Sequence, residues 1–450
     1  MAARLRTPNS ALAGLLDQAR LTRTQLAQRV NRLGRQAGLD LSYSQSTVSH
    51  WIGGTVPRPE VRPLIVAVLS EQLGRPVTHT EAGLPPAPSL PGAIGTDTVE
   101  ELIDLGKADM DPSRRSVLSA GVFSAALSVP GFAGASALAA DRSPGPGKAT
   151  VRVGASQVEA LRTMTERIAD ILDELGAGHA RPMAAAFLVN TVGPWLRAQA
   201  TTKVRQDMLA AASDLTYLTG WMAMYEKAHG LGQTYYLKAL KLASEAQDHV
   251  TYCRTLRGMS LQASNLGHGQ RALELADSAA EAAPSAGPRL VAFLRGQQAH
   301  AASMVGDRRT AHTRLQEAET ALSLADSRRD AIGGYDRTAY LFHVSHVLYQ
   351  ERDLPGSIKA LQQSIKAQPA VERQGRTHAY AVLAQRQYRL GHLDASCDSW
   401  GRFLDEYEHV SSARGDDHFE TLTAQLRKHP TVRPVRLLAD RTRRVAALKN

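Results

Sequence analysis

The sequence predicts an all-α chain: a small N-terminal helical bundle, a linker, and a C-terminal array of stacked helix pairs that curls into a superhelix. Three observations carry this. Of 450 residues, 43% are apolar but only 5% aromatic, and the abundance of Ala, Leu, Arg and Gln favours helices over large sheets. Apolar residues near the N-terminus recur at helical spacing. Far downstream, a short turn motif recurs with starts 39, 46 and 39 residues apart.

The elements follow in order. Leu12, Leu15, Leu16 and Ala19 form the apolar stripe of a first helix. A second runs from Thr22 to Val30, with Thr22 or Thr24 available as N-cap. Its inner face is Leu26, Ala27 and Val30, and Ala27 is small enough for another helix to cross closely. The third, Ser44 to Ile52, begins with Ser44, Gln45, Ser46 and Thr47, whose hydroxyls and amide can reach base edges or phosphates in a major groove. Val48, Trp51 and Ile52 pin its opposite face, and Gly53-Gly54 with the prolines at 57 and 59 end it. A fourth, Glu60 to Leu73, closes the bundle, with Pro63 tolerated in its first turn. The third helix reads as the recognition helix of a helix-turn-helix DNA-binding unit.

Charge points the same way. Residues 1–80 hold ten arginines, no lysine and four acids, so +6 of the chain's net +10 sits here. Such an excess attracts phosphate independently of sequence. Gln45 and Ser46 are the expected base readers, because an amide can bond adenine bidentately. Arg23, Thr24, His50 and Arg58 suit phosphate positioning, and Ser44, Thr47 and Ser49 complete the DNA-facing set. A solvated His50 without any contact is the alternative.

With Ser-Gln-Ser-Thr-Val-Ser-His-Trp at 44–51, the region 8–76 resembles the xenobiotic-response-element/lambda-repressor-like helix-turn-helix family. The resemblance implies double-stranded DNA as partner. The stretch from Asn31 to Tyr43 departs from the family by being longer than the usual turn.

Residues 81–97 carry four prolines and three glycines, and Ser143-Pro144-Gly145-Pro146-Gly147 marks a second break, so 81–150 is expected to be a linker. A short amphipathic stretch, Val99 to Leu105, lies within it. Arg114-Arg115 precedes an Ala/Ser/Gly-rich run to Ala140 that looks like a twin-arginine export signal in isolation. The run is soft and internal, so the expectation is a connector that docks on the C-terminal part or pairs between subunits, with no membrane role. Cys253 and Cys397 lie far apart without ligand spacing, and the start leads straight into the DNA-binding unit, which together suggest a reducing cytoplasm.

In residues 151–450 the motifs beginning at Gly267, Gly306, Arg352 and Gly391 each form a tight turn, then place a small residue where a second helix must pack. An earlier copy shows at Tyr235-Tyr236-Leu237-Lys238-Ala239-Leu240, and Ser260, Ala299, Ser345 and Ala384 occupy the close-approach position of each first helix. These residues resemble the tetratricopeptide repeat, a helix pair of about 34 residues, here with extended helices or loops. The resemblance implies a concave groove lined by Tyr217, Trp221, Tyr225, Arg254, Arg257, Asn265, His300, His346, Tyr349, Gln385 and Tyr388. Such a lining suits a signalling peptide or an extended segment of a partner protein. The alternative is a groove filled by the chain's own linker or a C-terminal helix.

Catalytic motifs are missing: there is no phosphate-binding Gly loop, nucleophile elbow or metal-ligand cluster, and no cofactor is implied. His343 and His346, at i and i+3, read as core or groove residues rather than metal ligands. The expected function is a cytoplasmic, non-enzymatic transcription regulator, acting as a homodimer because one module buries too little for a specific site. The domain order resembles high-GC Gram-positive bacterial regulators, which implies control of development or secondary metabolism. The alternative is a scaffold whose repeats recruit other regulators.

Overall fold

Helices account for nearly all of the described part of the computed structural model: residues 8–36, 41–58, 61–73, 77, 81–85, 98–111, 123–124, 129, 132, 152–282, 287–325 and 335–449. No strand occurs among these residues, so the all-α expectation holds. They divide into two units, Met1–Val129 with Ala228–Thr234, and Pro130–Lys227 with Tyr235–Asn450.

In the first unit, α1 (Ser10–Gln18) is capped by Asn9, whose Oδ1 accepts from the Leu12 amide at 2.9 Å. The Asn9 amide nitrogen also donates to the Ala82 and Gly83 carbonyls, at 3.0 and 2.9 Å. That bond pair draws residues 81–85 onto the bundle, where Ala82 and Leu84 join its core. The bundle therefore runs past the expected boundary at residue 80.

Helix α2 (Arg23–Gln36) is capped by Thr22 rather than Thr24. Thr22 Oγ1 accepts from the Gln25 amide at 3.2 Å, and Gln25 Oε1 accepts from the Thr22 amide at 2.9 Å, a reciprocal capping box. The helix continues to Gln36, absorbing about half of the long stretch expected as a turn. Asn31 then clamps the far end of that stretch, donating to the Tyr43 carbonyl (2.8 Å) and accepting from its amide (2.9 Å). Helices α3 (Gln45–Ile52) and α4 (Arg62–Leu73) complete a core in which Leu26, Val30, Val48, Leu64, Ile65 and Leu69 are fully buried. Helix α5 (Thr98–Met110) covers the expected amphipathic stretch and buries Leu102, Ile103 and Leu105. Arg114, Arg115 and nearly all of the run to Ala140, with the 143–147 break, lie outside the described residues.

The second unit opens with α6 (Ala155–Leu175), α7 (Ala177–Phe187) and α8 (Gly193–Arg197), the last two joined by a π-turn at Leu188–Val192. Next come α9 (Thr202–Tyr225), α10 (His229–Ala246, of which the part from Tyr235 belongs to this unit), α11 (His249–Asn265) and α12 (Gly269–Glu281). They are followed by α13 (Pro288–Met304), α14 (Arg308–Ser323), α15 (Arg337–Gln350) and α16 (Leu354–Ala367). The chain ends with α17 (Arg373–Arg389), α18 (Leu393–Tyr407), α19 (Ala413–Leu426) and α20 (Arg433–Lys449).

Four successive hairpins, α11–α12, α13–α14, α15–α16 and α17–α18, dominate the packing. Their turns share one chemistry. Gly267, Gly306, Arg352 and Gly391 all have φ between 68 and 87°, the left-handed conformation that ends a helix. The next residue donates back five positions, as Asp307 does to Ala302 (3.0 Å) and Asp353 to Leu348 (2.9 Å). In those two hairpins that same aspartate caps the following helix.

Five residues after each left-handed turn residue sits the small one, and Ala272, Ala311, Ser357 and Ser396 are all buried. Ser260, Ala299, Ser345 and Ala384 face them, fully buried. Where serine is present the crossing is also bonded: Ser260 Oγ donates to the Ala272 carbonyl at 2.7 Å and Ser396 Oγ to the Ala384 carbonyl at 2.8 Å. The start of this unit also meets its end. The Ser411 amide donates to the Leu175 carbonyl at 2.8 Å, the Gly178 amide to the Ser411 carbonyl at 3.0 Å, and α6 packs on α17. Gly176 (φ 92°) permits the approach, since a Cβ there would strike the Ser411 backbone.

Candidate functional site

Two places hold the residues singled out by the sequence. The first is the outer face of α3. Val48 and Trp51 are buried, with Tyr43 packed edge-on against Trp51 at 5.2 Å, which fixes the helix by its inner side. Ser44, Gln45, Ser46 and His50 are left exposed, and Thr47 and Ser49 half-buried. Ser44 and Ser46 hydroxyls lie 2.8 Å apart, and Thr47 Oγ1 accepts from the Ser44 amide at 3.4 Å. From α2, Arg23 donates to Ser49 Oγ at 3.2 Å, and Ser49 in turn donates to the Gln45 carbonyl at 3.0 Å. Arg23 and Ser49 thus brace the start of α2 against α3 across their exposed edge. Thr24 and Arg58 are exposed, with no bond from either side chain among those described.

On α2, Gln25, Gln28, Arg29 and Arg32 line a shallow surface depression that the sequence reading did not single out. Its signal was available, because the same 3–4 residue spacing that buries Leu26 and Val30 puts these amides and cations outside. What this face offers chemically is a set of neutral donors and acceptors on one short helix, flanked by cations from another.

The second place is the inner face of the helical array. The expected groove residues do come together, but most are not an open lining. Tyr217, Arg254, Arg257 and His300 are each no more than 6% exposed. Trp221, Tyr225, His346, Tyr349, Gln385 and Tyr388 are half-buried, and only Asn265 is exposed. The reason is twofold: the array closes α6 onto α17, and the chain's own α19 lies against the inner face.

Helix α19 makes the contacts a foreign segment was expected to make. Arg414 lies over the Tyr225 ring at 5.5 Å and donates to Asn265 Oδ1 at 3.3 Å. Asp417 pairs with Lys227 at 2.7 Å. His418 stacks on His378, with Gln385 donating to its Nδ1 at 3.1 Å and its Nε2 lying 2.9 Å from His378 Nδ1. Just past the helix, His429 Nε2 is 3.0 Å from the Tyr388 hydroxyl. Of the two sequence readings of this groove, the geometry matches a groove filled by a C-terminal helix.

Inside lies a file of rings and cations that the sequence reading caught only in part. Tyr217, Trp221 and Tyr225 follow one another along α9 in tilted and edge-on ring contact, and Arg254 lies over Tyr217 at 4.9 Å while bonded to Asp214 at 2.7 Å. Arg257 follows over Phe293 at 4.1 Å and near Trp221 at 5.6 Å. Phe293 meets Tyr335, whose hydroxyl is 3.0 Å from His343 Nδ1. His343, His300, His346, Phe342 and His378 continue in ring contact towards His418.

Burial holds these histidines neutral. His300 and His418 are pushed down to about 4, chiefly by desolvation and then by neighbouring arginines, Arg257 for His300 and Arg414 for His418. His343, His346 and His378 are driven well below the usual imidazole range for the same first reason. Burial also lowers Arg386 to about 10; it bonds Ser345 Oγ and lies over Tyr349 at 4.7 Å. Phe293, Tyr335, His378 and Arg386 were missed because helical spacing gives the inward face of one helix, not which faces meet after superhelical closure.

Both cysteines are free and buried, and desolvation raises the Cys253 thiol to about 12. Among the described residues no group of three or more His, Cys, Asp or Glu could hold a metal ion, and no helix is long and apolar enough to cross a membrane.

Residues 12–85 match a family model described as the SP15 N-terminal domain. The match spans the helical bundle, including the 81–85 segment that Asn9 ties to it. No curated protein matches the chain.

Proposed function

We propose that the chain is a cytoplasmic, sequence-specific DNA-binding regulator. Its bundle acts as a helix-turn-helix reader of the lambda-repressor-like kind. Its array acts as a tetratricopeptide-type body for dimerisation and sensing. The observation that carries the reading is the two-sided construction of α3. Val48 and Trp51 lock one side into a core, while Ser44, Gln45, Ser46 and His50 stand exposed on a unit with +6 net charge. A short helix held from behind, with an amide near its N-terminus, is what major-groove readout requires. Exposed Thr24 and Arg58 supply groups for phosphates, and two copies would supply the contact area that one module lacks.

The test is fluorescence anisotropy on a site selected from random DNA, beside unselected DNA of equal length. Gln45→Ala costs about 1–3 kcal/mol on the selected site and little on the other. Equal losses on both would remove Gln45 as a base reader.

A further inference from the structure

The last hairpin of the second unit carries a charge that its own structure leaves unanswered. Residues 427–450 hold eight arginines and lysines and one acid, a net +7. With +6 in residues 1–80, the 346 residues between are left at net −3, so the two ends account for more than the whole excess of +10. Three of the eight cations are used internally. Arg441 bonds Asp405 and the Gly401 carbonyl, Arg443 pairs with Asp440, and Lys449 donates to the Val410 carbonyl. The other five are Arg427, Lys428, Arg433, Arg436 and Arg444. All are exposed, and among the described residues their side chains take part in no hydrogen bond and no ion pair. A terminal helix of a repeat array needs a polar outer face to stay in solution. Mixed signs provide that without the self-repulsion that one sign brings.

We propose that the outer side of α20 and the turn before it bind the phosphate backbone of duplex DNA, as a second contact that is independent of sequence. The free groups are all cations, and four of them are guanidinium forks that match phosphate oxygens. Arg433, Arg436 and Arg444, at i, i+3 and i+11, share one side of α20, and the helical rise sets the ends of this stripe roughly 16 Å apart. One DNA strand presents a phosphate about every 3.4 Å of helix axis, so the stripe spans about five of them. The rival occupant is an acidic amphipathic segment of a protein, because Leu426, Pro430, Val435 and Ala439 line a crevice of about 590 Å³ between α19 and α20. Of the five free cations only Arg427 and Arg436 border that crevice. Lys428, Arg433 and Arg444 carry the charge beyond it, which serves an extended polyanion and not a segment seated in the crevice. Leu437 and Leu448 on α20 are exposed, but they stand eleven residues apart, and leucines scattered singly over a surface are ordinary.

This surface is separate from the exposed side of α3, and the experiment separates the two. Fluorescence anisotropy of a short duplex of unselected sequence is followed from about 50 to 200 mM salt with the full chain. Wild type is set beside Arg433→Gln/Arg436→Gln/Arg444→Gln and the control Arg162→Gln/Arg308→Gln/Arg309→Gln, which removes the same charge from exposed positions elsewhere in the same unit. The α20 variant should flatten the slope of log K against log salt by about two to three units and weaken binding about ten- to a hundredfold, with the control close to wild type. The loss should be equal on a selected site, so discrimination between sequences stays intact, whereas Gln45→Ala alters discrimination. Failure of this inference therefore leaves the reading of α3 standing, and the reverse holds too. The three arginines are exposed and unbonded, so the variant should melt with wild type and its loss is not one of folding. An unchanged slope in the α20 variant, or an equal change in the control, would overturn the proposal. So would a peptide with the acidic amphipathic sequence of α5 (Thr98–Met110) that wild type binds and the α20 variant loses while duplex binding is kept.

Discussion

Arg352 stands where three other hairpins place glycine, and its φ of 68° is the same left-handed conformation. For a residue with a Cβ that geometry costs about 1–2 kcal/mol. Gly306 (φ 84°) has open space around its missing Cβ, so conformational strain alone decides the effect of filling it. Gly306→Ala should therefore destabilise the array by about 1 kcal/mol, and Arg352→Gly should stabilise it by a similar or smaller amount. Urea midpoints followed by far-ultraviolet circular dichroism read both. A neutral Gly306→Ala would mean that the turn is not held in this conformation. Asn31 shows a different residue-scale device. Its side chain bonds both backbone groups of Tyr43, converting an overlong connection into a fixed entry to α3.

Among elements, the crossings of the hairpins decide the packing, and here sequence and structure agree most closely. The twelve-residue interval between facing small residues, such as Ala384 and Ser396, was visible as a recurring motif and emerges as direct contact. The reason is local: a helix of known pitch, a left-handed turn residue and a second helix leave little choice of register. Ala384→Leu should cost about 1–3 kcal/mol by forcing α17 from α18, whereas the exposed Arg402→Leu on α18 should be nearly neutral. Equal effects would contradict the close crossing. Thr22 as cap and the buried face of α3 were legible for the same local reason. What was not legible was non-local. Leu84 joins the first core through Asn9, more than seventy positions away, and α19 lies on the inner face through residues scattered over α9, α11 and α17. No periodicity encodes such meetings.

For the second unit as a whole, the buried histidines tie stability to pH. In the unfolded chain they titrate near 6.5, while in the folded protein His300 and His418 titrate at about 4. Between those values the unfolded state binds more protons, so stability falls as pH is lowered from about 6.5 towards 4. The slope is up to about 1.4 kcal/mol per pH unit for each such histidine. Guanidinium midpoints of this unit's transition at pH 7.5 and 5.0 should differ in that direction, and His300→Gln should reduce the difference. A flat profile would mean that these rings are not held neutral by burial.

The exposed side of α3 is the proposed reader of DNA sequence. Its most direct test is selection of bound sequences from a random DNA pool by the full chain, wild type beside Gln45→Ala/Ser46→Ala. Wild type should enrich one motif and the double variant should lose it, with weak salt-sensitive binding to all DNA retained through the arginines. No enriched motif with wild type, or the same motif with both proteins, would contradict it.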